Sequence, residues 1–173
     1  MPPLSTWTSL LLSIALVKPS AVAWSRAQEL RRLTDRDVVF RKLSSLGEHV
    51  SRMRRRRSAD LETFRADVDR RDAIGMGLLV AVQDALDIAL HIAADEGWGV
   101  PASYAESFAM LARHGIIEAK LATAYASMAA LRNRLAHGYG TADMDRIWAE
   151  LPVGLIALEE FAAAIAVTLA PST

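Results

Sequence analysis

Residues 78–89 read Leu78-Leu79-Val80-Ala81-Val82-Gln83-Asp84-Ala85-Leu86-Asp87-Ile88-Ala89, and this stretch decides the fold. Its apolar residues continue in both directions at the three- and four-residue spacing of an α-helix. Together they form one wide apolar face, made of Ile74, Leu78, Leu79, Val82, Leu86, Leu90 and Ile92. Gly97 supplies a stop, so we predict a long and largely buried helix from about Val68 to Glu96.

Five further helical segments are predicted on the two sides of this helix, each marked by a start or stop residue. The predicted N-terminal caps are Thr34, Ser58, Ser103 (a capping box with Glu106) and Thr141, and the glycine stops are Gly115 and Gly138. Pro152 is predicted to break or kink the last segment. The sequence contains no strand-like alternation, so we predict an all-α, up-and-down helical bundle.

Composition sets the class of protein and excludes some chemistry. The 173 residues suit one domain with a sizeable core, and 52% of them are hydrophobic with only six Pro and nine Gly. There is no cysteine, which excludes disulfides, thiol catalysis and zinc–thiolate sites. The 20 basic residues balance the 20 acidic ones, so net charge gives no information about partners.

The first 32 residues differ from the rest of the chain. Leu10 to Val17 is mostly apolar, and Ala21-Val22-Ala23 fits the small-x-small pattern of a signal cleavage site. A secretory signal and an extension with little structure of its own both remain open. The start lacks a basic n-region and the run is too short to span a membrane, which favours the extension. We therefore predict an extension at 1–32, a helical domain at 33–171 and a cytoplasmic protein.

The most informative motif is Leu131-Arg132-Asn133-Arg134-Leu135-Ala136-His137-Gly138-Tyr139-Gly140. Gly138 as a helix stop places His137 in the last turn, where the helix dipole favours a charged imidazolium. Arg132 offers a planar fork of donors to a phosphate. A proton-exchanging histidine near an arginine suits metal-independent cleavage of an RNA phosphodiester.

Spacing alone does not bring these two side chains together. Asn133 and His137 share a helix face, whereas Arg132 and His137 diverge by roughly 140° on a regular helix. The two could converge if the last turn unwinds, or if two subunits build the site jointly. A structural interpretation also remains, because arginine and histidine commonly satisfy carbonyls and the dipole at a helix C-terminus.

The motif also carries a family resemblance. Arg132-Asn133-x-x-x-His137-x-Tyr139 matches the R-x4-H-x-Y motif of HepT-type HEPN proteins, the toxin half of MNT–HepT toxin–antitoxin pairs. Two more blocks resemble the same family, residues 81–89 and residues 101–108. The resemblance covers about Leu33 to Pro171, and the first thirty residues have no counterpart in it.

This resemblance implies a type VII toxin that is an all-helical homodimer, with the arginines and histidines of both subunits in a cleft at the interface. It implies a ribonuclease acting on cellular RNA, in some members tRNA, and an MNT-type nucleotidyltransferase antitoxin that silences the toxin by transferring AMP to the motif tyrosine. Carried over to this chain, Arg132 and His137 would be catalytic, Asn133 would support them, and Tyr139 would accept AMP. Asp87 is the best match to an acidic position on the long helix. No metal or cofactor is expected.

Two charged clusters have both a chemical and a structural interpretation. The arginine run could hold an RNA backbone or could be a solvated helix end; it comprises Arg52, Arg54, Arg55, Arg56 and Arg57. Asp84 and Asp87 are neighbours on the long helix but too few to hold a metal. We expect them to form salt bridges to arginine, with Asp87 orienting Arg132.

Aromatic residues and the other histidines are less informative. Trp98 and Tyr104 could stack on bases, but packing around their loop is the favoured interpretation. His91 and His114 have no predicted role.

Two other functions remain open beside the ribonuclease toxin. The chain could be a non-catalytic subunit that binds a nucleotide or substrate for the transferase, or a plain dimerisation domain with an inactive motif. The presence of both Arg132 and His137 favours the enzyme, because a scaffold has less need of a proton-transfer residue.

Overall fold

The structure is a computed structural model that describes residues 21–138 and 143–169, with only the backbone described at 21–35 and 137–138. The chain divides into two compact units, residues 1–34 and residues 35–173. In the first unit, residues 21–34 are helical. The boundary that we predict at residue 32 stays a prediction.

The described residues form helices joined by short connections, and no strand occurs within 21–138 or 143–169. The prediction of an all-α helical bundle is confirmed, and dimerisation stays a prediction. The helices are α1 (Ala21–Arg56), α2 (Leu61–Ala66), α3 (Val68–Asp95), α4 (Tyr104–Arg113), α5 (Ala119–Gly138) and α6 (Met144–Leu169).

Two predicted helix starts are wrong. Helix α1 runs through Thr34 because residues 21–33 are rich in Ala, Leu and Arg, which favour helix. Asp60, not Ser58, caps α2, since its carboxylate accepts a hydrogen bond from the backbone N–H of Thr63 at 2.7 Å. The Ser58 hydroxyl instead donates to the carbonyl oxygen of Asp60 at 2.8 Å.

Two other helix starts fit their sequence signals more closely. The Ser103 hydroxyl accepts from the N–H of Glu106 at 3.1 Å, while the Glu106 carboxylate accepts from the N–H of Ala102 at 2.6 Å. The predicted capping box is therefore confirmed, with its return bond moved by one residue. Thr141 lies outside the described residues, and the Asp143 carboxylate accepts from the N–H of Arg146 at 3.0 Å at the start of α6.

Helix α6 continues through Pro152, so the predicted break is wrong, while the kink that we predict as its alternative stays a prediction. Proline has no N–H, so the carbonyl of Trp148 one turn earlier lacks its usual partner. Arg57 supplies a substitute, because its Nε donates to the Trp148 carbonyl oxygen at 3.4 Å. Its guanidinium also lies 4.4 Å from the centroid of the Trp148 ring. A contact from the residue that directly follows α1 thus replaces the hydrogen bond that Pro152 removes from α6.

Three buried aromatic rings join α4, α5 and α6. The ring of Tyr125 lies 4.7 Å from that of Phe108 and 5.1 Å from that of Phe161, between centroids. The Tyr125 hydroxyl donates to the carbonyl oxygen of Ala157 on α6. Burial raises the pKa of Tyr125 well above its usual range, which keeps this hydroxyl protonated as a donor. These contacts fix the face that α5 turns toward the core.

The direction of α5 follows from contacts at the two ends of the bundle. Trp98, just after α3, stacks on His114 at the end of α4, with ring centroids 3.7 Å apart. Helix α5 therefore begins near the end of α3. At the other end, Arg65 of α2 binds Asp145 in the first turn of α6. The motif at the end of α5 thus lies at the end of the bundle where α2, the start of α3 and the start of α6 meet.

Two helices, α3 and α6, are long and apolar enough to cross a membrane by length and composition alone. In α3, 61% of the apolar window is buried within the protein, as expected for a core helix. In α6 the corresponding share is only 33%, which leaves much of its apolar surface uncovered.

A charged cluster ties α1 to α3. The Nζ of Lys42 lies 2.7 Å from Asp87 Oδ2 and 3.0 Å from Asp84 Oδ1, and Gln83 Nε2 donates to Asp87 Oδ1 at 2.7 Å. The Asp84 side chain is only 5% exposed. The hydrogen bond to Asp87 and then that to Asp84 raise the pKa of Lys42. The expected salt bridges exist, but their cation is a lysine and not an arginine.

Removing the Lys42 ammonium should destabilise the fold. Lys42→Met leaves the Asp84 carboxylate buried without a cation, and we expect the free energy of unfolding to fall by about 2 kcal/mol near neutral pH. This is less than for a fully buried ion pair, because the side chains of Lys42 and Asp87 are each about one-third exposed. Because folding raises the pKa of Lys42, its contribution is complete below the ordinary lysine pKa and is lost as pH rises through the folded-state value. Urea unfolding measured across this alkaline range should show that the free energies of unfolding of variant and wild type converge as the pH rises.

Lys120→Met is the matched control, since the ion pair of Lys120 with Glu118 is largely exposed. We expect it to cost less than about 0.5 kcal/mol. Equal stability of Lys42→Met and wild type near neutral pH would contradict this account of the cluster.

Candidate functional site

Arg132 lies on the packed face of α5. It follows Tyr125 by seven residues and Ala129 by three, and both of these are buried. The side chain of Arg132 is consequently half-buried, and its Nε is enclosed without a hydrogen-bond partner among the described residues. Its Nη1 donates to Asn133 Oδ1 at 3.2 Å. A guanidinium with five donors is thus held in place while most of its donors have no described acceptor.

His137 lies in the last turn of α5, which confirms the predicted helix end at Gly138. The helix is continuous through this turn, so unwinding does not bring residue 137 toward Arg132. By helical period, position 137 shares the face of Asn133, which is exposed, and lies roughly 140° from Arg132. The described part of a single chain therefore keeps the two motif positions on different sides of the helix.

Tyr139 lies outside the described residues, in the connection from α5 to α6. The far end of that connection is firmly held. Arg65 binds both carboxylate oxygens of Asp145, with Nε 3.1 Å from each and Nη2 2.5 Å from Oδ2. The guanidinium of Arg65 lowers the pKa of the Asp145 carboxyl. The indole N–H of Trp148 donates to the carbonyl oxygen of Ser58 at 3.3 Å.

Asp87 does not orient Arg132 in the way that we predict from the sequence. Its two carboxylate oxygens accept hydrogen bonds from Gln83 and Lys42, and no hydrogen bond to Arg132 is found among the described side chains. Lys42 explains the difference. It occupies the apolar stripe of α1 between Val39 and Leu46, so it points its charge at α3 and captures Asp87.

The arginine run divides into engaged and free members. Arg52 binds Glu48 at 2.7 Å and Arg54 binds Glu159 at 2.9 Å, while Arg57 lies over Trp148. Arg55 and Arg56 are exposed, and neither has an ion pair within the described part of the chain. Most of the run thus has a structural use, and these two remain accessible to a ligand.

The remaining sequence features are explained by packing or stay without a described role. Trp98 stacks on His114 with their planes 3° apart, which favours packing over base stacking and gives His114 a structural role that the sequence did not indicate. Tyr104 is 38% exposed at the start of α4. Within the described ranges, no group of three or more histidine, aspartate or glutamate side chains is placed to hold a metal ion.

Comparison with known proteins adds to this geometry. Residues 30–165 match the family model described as Ribonuclease HepT-like. The chain is 27% identical over 109 residues to the mRNA nuclease HepT of Shewanella oneidensis, an alignment that covers 63% of this chain and 81% of that protein.

Solved structures agree with the sequence comparison. The tri-AMPylated HEPN toxin of Shewanella oneidensis, solved in complex with the MNT antitoxin, superposes with a TM-score of 0.70 at 25% identity, covering 76% of this chain and 98% of that one. The cytosolic protein of unknown function YutE from Bacillus subtilis gives a TM-score of 0.69 at 17% identity, covering 80% and 96%, which shows the fold alone. The family match spans most of the chain, and the protein therefore belongs to the Ribonuclease HepT-like family.

Proposed function

We propose that this protein is the ribonuclease toxin of a toxin–antitoxin pair, acting in the cytoplasm on cellular RNA. The observation that carries the proposal is Arg132, which lies on the packed face of α5 with most of its donors lacking an acceptor among the described residues. It stands five residues before His137 on a continuous helix. Family membership and the name of its Shewanella relative, mRNA nuclease HepT, support a nuclease.

The divergence of the two motif positions supports a site shared by two copies of the chain. Since α5 stays helical through Gly138, one chain presents Arg132 and position 137 on different faces. A homodimer that packs two α5 helices side by side would bring Arg132 of one copy toward His137 of the partner subunit.

The chemistry expected at such a site is transfer at phosphorus without a metal. The imidazole of His137 takes the proton of the RNA 2′-hydroxyl, whose oxygen then forms a bond to the neighbouring phosphorus. The bond from phosphorus to the 5′-oxygen breaks, and that oxygen takes a proton from water. Arg132 stabilises the charge that builds on the phosphate oxygens, and Asn133 holds Arg132 through the hydrogen bond to Nη1.

Arg55 and Arg56 are the cations that we propose for contact with the RNA backbone. They are exposed without a described ion pair, and they end α1 beside the start of α6, at the motif end of the bundle. Cations on a surface bind phosphates without regard to sequence. Arg52, Arg54 and Arg57 are committed to contacts within the protein, so we assign them no RNA contact.

The proposed partner is an MNT-type nucleotidyltransferase that adds AMP to Tyr139. Support comes from the related HEPN toxin of Shewanella oneidensis, which was solved in its tri-AMPylated form in complex with the MNT antitoxin. A group with a negative phosphate placed two residues from His137 would fill the shared cleft and repel the RNA backbone.

Purified protein should cleave RNA in a way that depends on both motif residues. Arg132→Ala and His137→Ala should each lower the cleavage rate by about 100-fold or more, because each removes charge stabilisation or proton transfer. The chelator EDTA should leave the wild-type rate unchanged. Arg113→Ala is the matched control, since it removes an exposed cation on α4 and should cleave like wild type. Expression in cells should give the same pattern: wild type and Arg113→Ala should arrest growth, and Arg132→Ala and His137→Ala should not.

The same assay tests the backbone contact. The double variant Arg55→Ala/Arg56→Ala should raise KM and flatten the dependence of RNA binding on salt, with little change in kcat. Full cleavage by His137→Ala would refute the nuclease proposal. RNA or nucleotide binding with no cleavage by the wild type would select the non-catalytic subunit instead.

Modification should require Tyr139. Incubation with the partner nucleotidyltransferase and ATP should add one or more AMP masses to wild-type protein, detected by mass spectrometry of the intact chain. Tyr139→Phe removes the phenol oxygen that accepts AMP and should stay unmodified. Tyr104→Phe, which alters another exposed tyrosine, should be modified like wild type. Wild-type levels of AMP on Tyr139→Phe would point to a different acceptor.

A further inference from the structure

The core-facing side of α4 continues beyond the part of the helix that is buried. Tyr104, Phe108 and Leu111 follow one another at spacings of four and three residues, so they lie on one side of α4. Phe108 and Leu111 are fully buried, whereas Tyr104, in the first turn, is 38% exposed. Tyr104 thus stands where the core stops covering this side of α4.

The packing of α4 on α5 places Tyr104 near the motif. The two helices are joined by the short connection 114–118 and pack side by side, so they run antiparallel. The ring of Phe108 stacks on that of Tyr125. One turn before Phe108 on α4 is Tyr104, and one turn after Tyr125 on α5 is Ala129, so these two residues lie at the same level. Arg132 is roughly 4.5 Å of helix rise beyond Ala129.

Helix α5 is longer than α4, and its last turns extend past the start of α4. Arg132, Asn133 and position 137 all belong to these last turns. A side chain on a helix leans toward the N-terminus of that helix, which at the start of α4 is the direction of Arg132. The ring of Tyr104 therefore borders the surface that carries the motif.

The backbone at Tyr104 is held in place, while its ring is not used in aromatic packing. The hydroxyl of Ser107 donates to the Tyr104 carbonyl oxygen at 2.7 Å, and Ser103 caps the helix one residue earlier. Trp98 is stacked on His114, but no stacking of Tyr104 on another ring is found among the described side chains. An exposed ring on a fixed backbone is suited to stack on a nucleic-acid base.

We propose that Tyr104 stacks on an unpaired base of the RNA substrate, beside the phosphate that Arg132 contacts. This inference rests on the proposed nuclease function and adds a substrate class to it, single-stranded RNA. An aromatic side chain stacks on bases that are splayed out of a helix, whereas the bases of a duplex are stacked on one another. Because every base has a π-face, this contact selects single strands without selecting a sequence.

Binding of short single-stranded RNA tests the proposal on the full chain, in a His137→Ala background that holds the substrate without cutting it. Adding Tyr104→Ala should raise the Kd about 10-fold, because it removes the stacking surface. Tyr104→Phe keeps the ring and should leave the Kd within about twofold of the background value. Phe40→Ala is the matched control, since it removes a different exposed ring, on α1, and should not change the Kd.

Removing single bases from the RNA, one position at a time, separates stacking from a structural effect. At one abasic position the background protein should lose about 10-fold in affinity, and Tyr104→Ala should lose nothing further there. A substitution that only disturbed the fold would weaken the binding of intact and abasic RNA alike. A fully paired duplex of the same sequence should bind Tyr104→Ala and the background protein equally, since it offers no unpaired base.

Several results would overturn the proposal. One is an unchanged Kd on Tyr104→Ala, and another is a set of losses from Tyr104→Ala and from the abasic positions that simply add. A loss with Tyr104→Phe as large as with Tyr104→Ala would assign the effect to the hydroxyl and not to stacking. A dimer in sedimentation that Tyr104→Ala disperses would assign the ring to a subunit interface.

The outcome for Tyr104 is distinguishable from the outcome for the nuclease. If wild type cleaves RNA and any of these results is found, only the role of Tyr104 is removed. If the background protein binds no RNA, the nuclease proposal fails and this inference fails with it. Circular dichroism of each variant establishes that the substitutions leave the fold intact.

Discussion

The unbroken helical period of α5 is the constraint on which the rest of the structure depends. Tyr125 fixes the rotation of this helix by packing between Phe108 and Phe161 and by binding the backbone of α6. Seven residues later the same face presents Arg132, which is why a charged side chain is half enclosed there. The same period carries position 137 to the outer side, so the geometry of the motif is set by core packing two turns away.

Polar contacts hold the first turns of α6, the helix that follows the motif in the chain. Arg57 replaces the hydrogen bond that Pro152 removes from α6, and Arg65 clamps Asp145 in the first turn of that helix. Both contacts lie at the end of the bundle where α5 finishes. The connection that contains Tyr139 therefore starts and ends on helices whose positions are fixed by residues far apart in the chain.

Sequence patterns predicted the parts of this fold that local chemistry decides. The long apolar helix α3, the Ser103 capping box and the end of α5 at Gly138 each follow from periodicity or a cap. Thr34 is not a helix start, because the residues before it favour helix. Ser58 is not one either, because Asp60 caps α2 in its place. The continuation of α6 through Pro152 could not be predicted, since it depends on Arg57, which lies 95 residues earlier in the chain and just after α1. Lys42 could have been found, because a lone cation in the apolar stripe of α1 needs an acid such as Asp84 on the facing helix.

The motif that contains Arg132 and His137 could be found in the sequence. How these two side chains come together depends on the regularity of α5 and, in our proposal, on a second copy of the chain. Mixing two inactive variants measures that relation directly. If Arg132 of one copy works with His137 of the other, Arg132→Ala and His137→Ala subunits unfolded and refolded together will form some mixed dimers with one intact site. At equal mixing this predicts recovery to about one quarter of wild-type RNA cleavage. If mixed dimers form but RNA cleavage does not recover, the shared site is contradicted. Arg132 and His137 of the same chain would then act together.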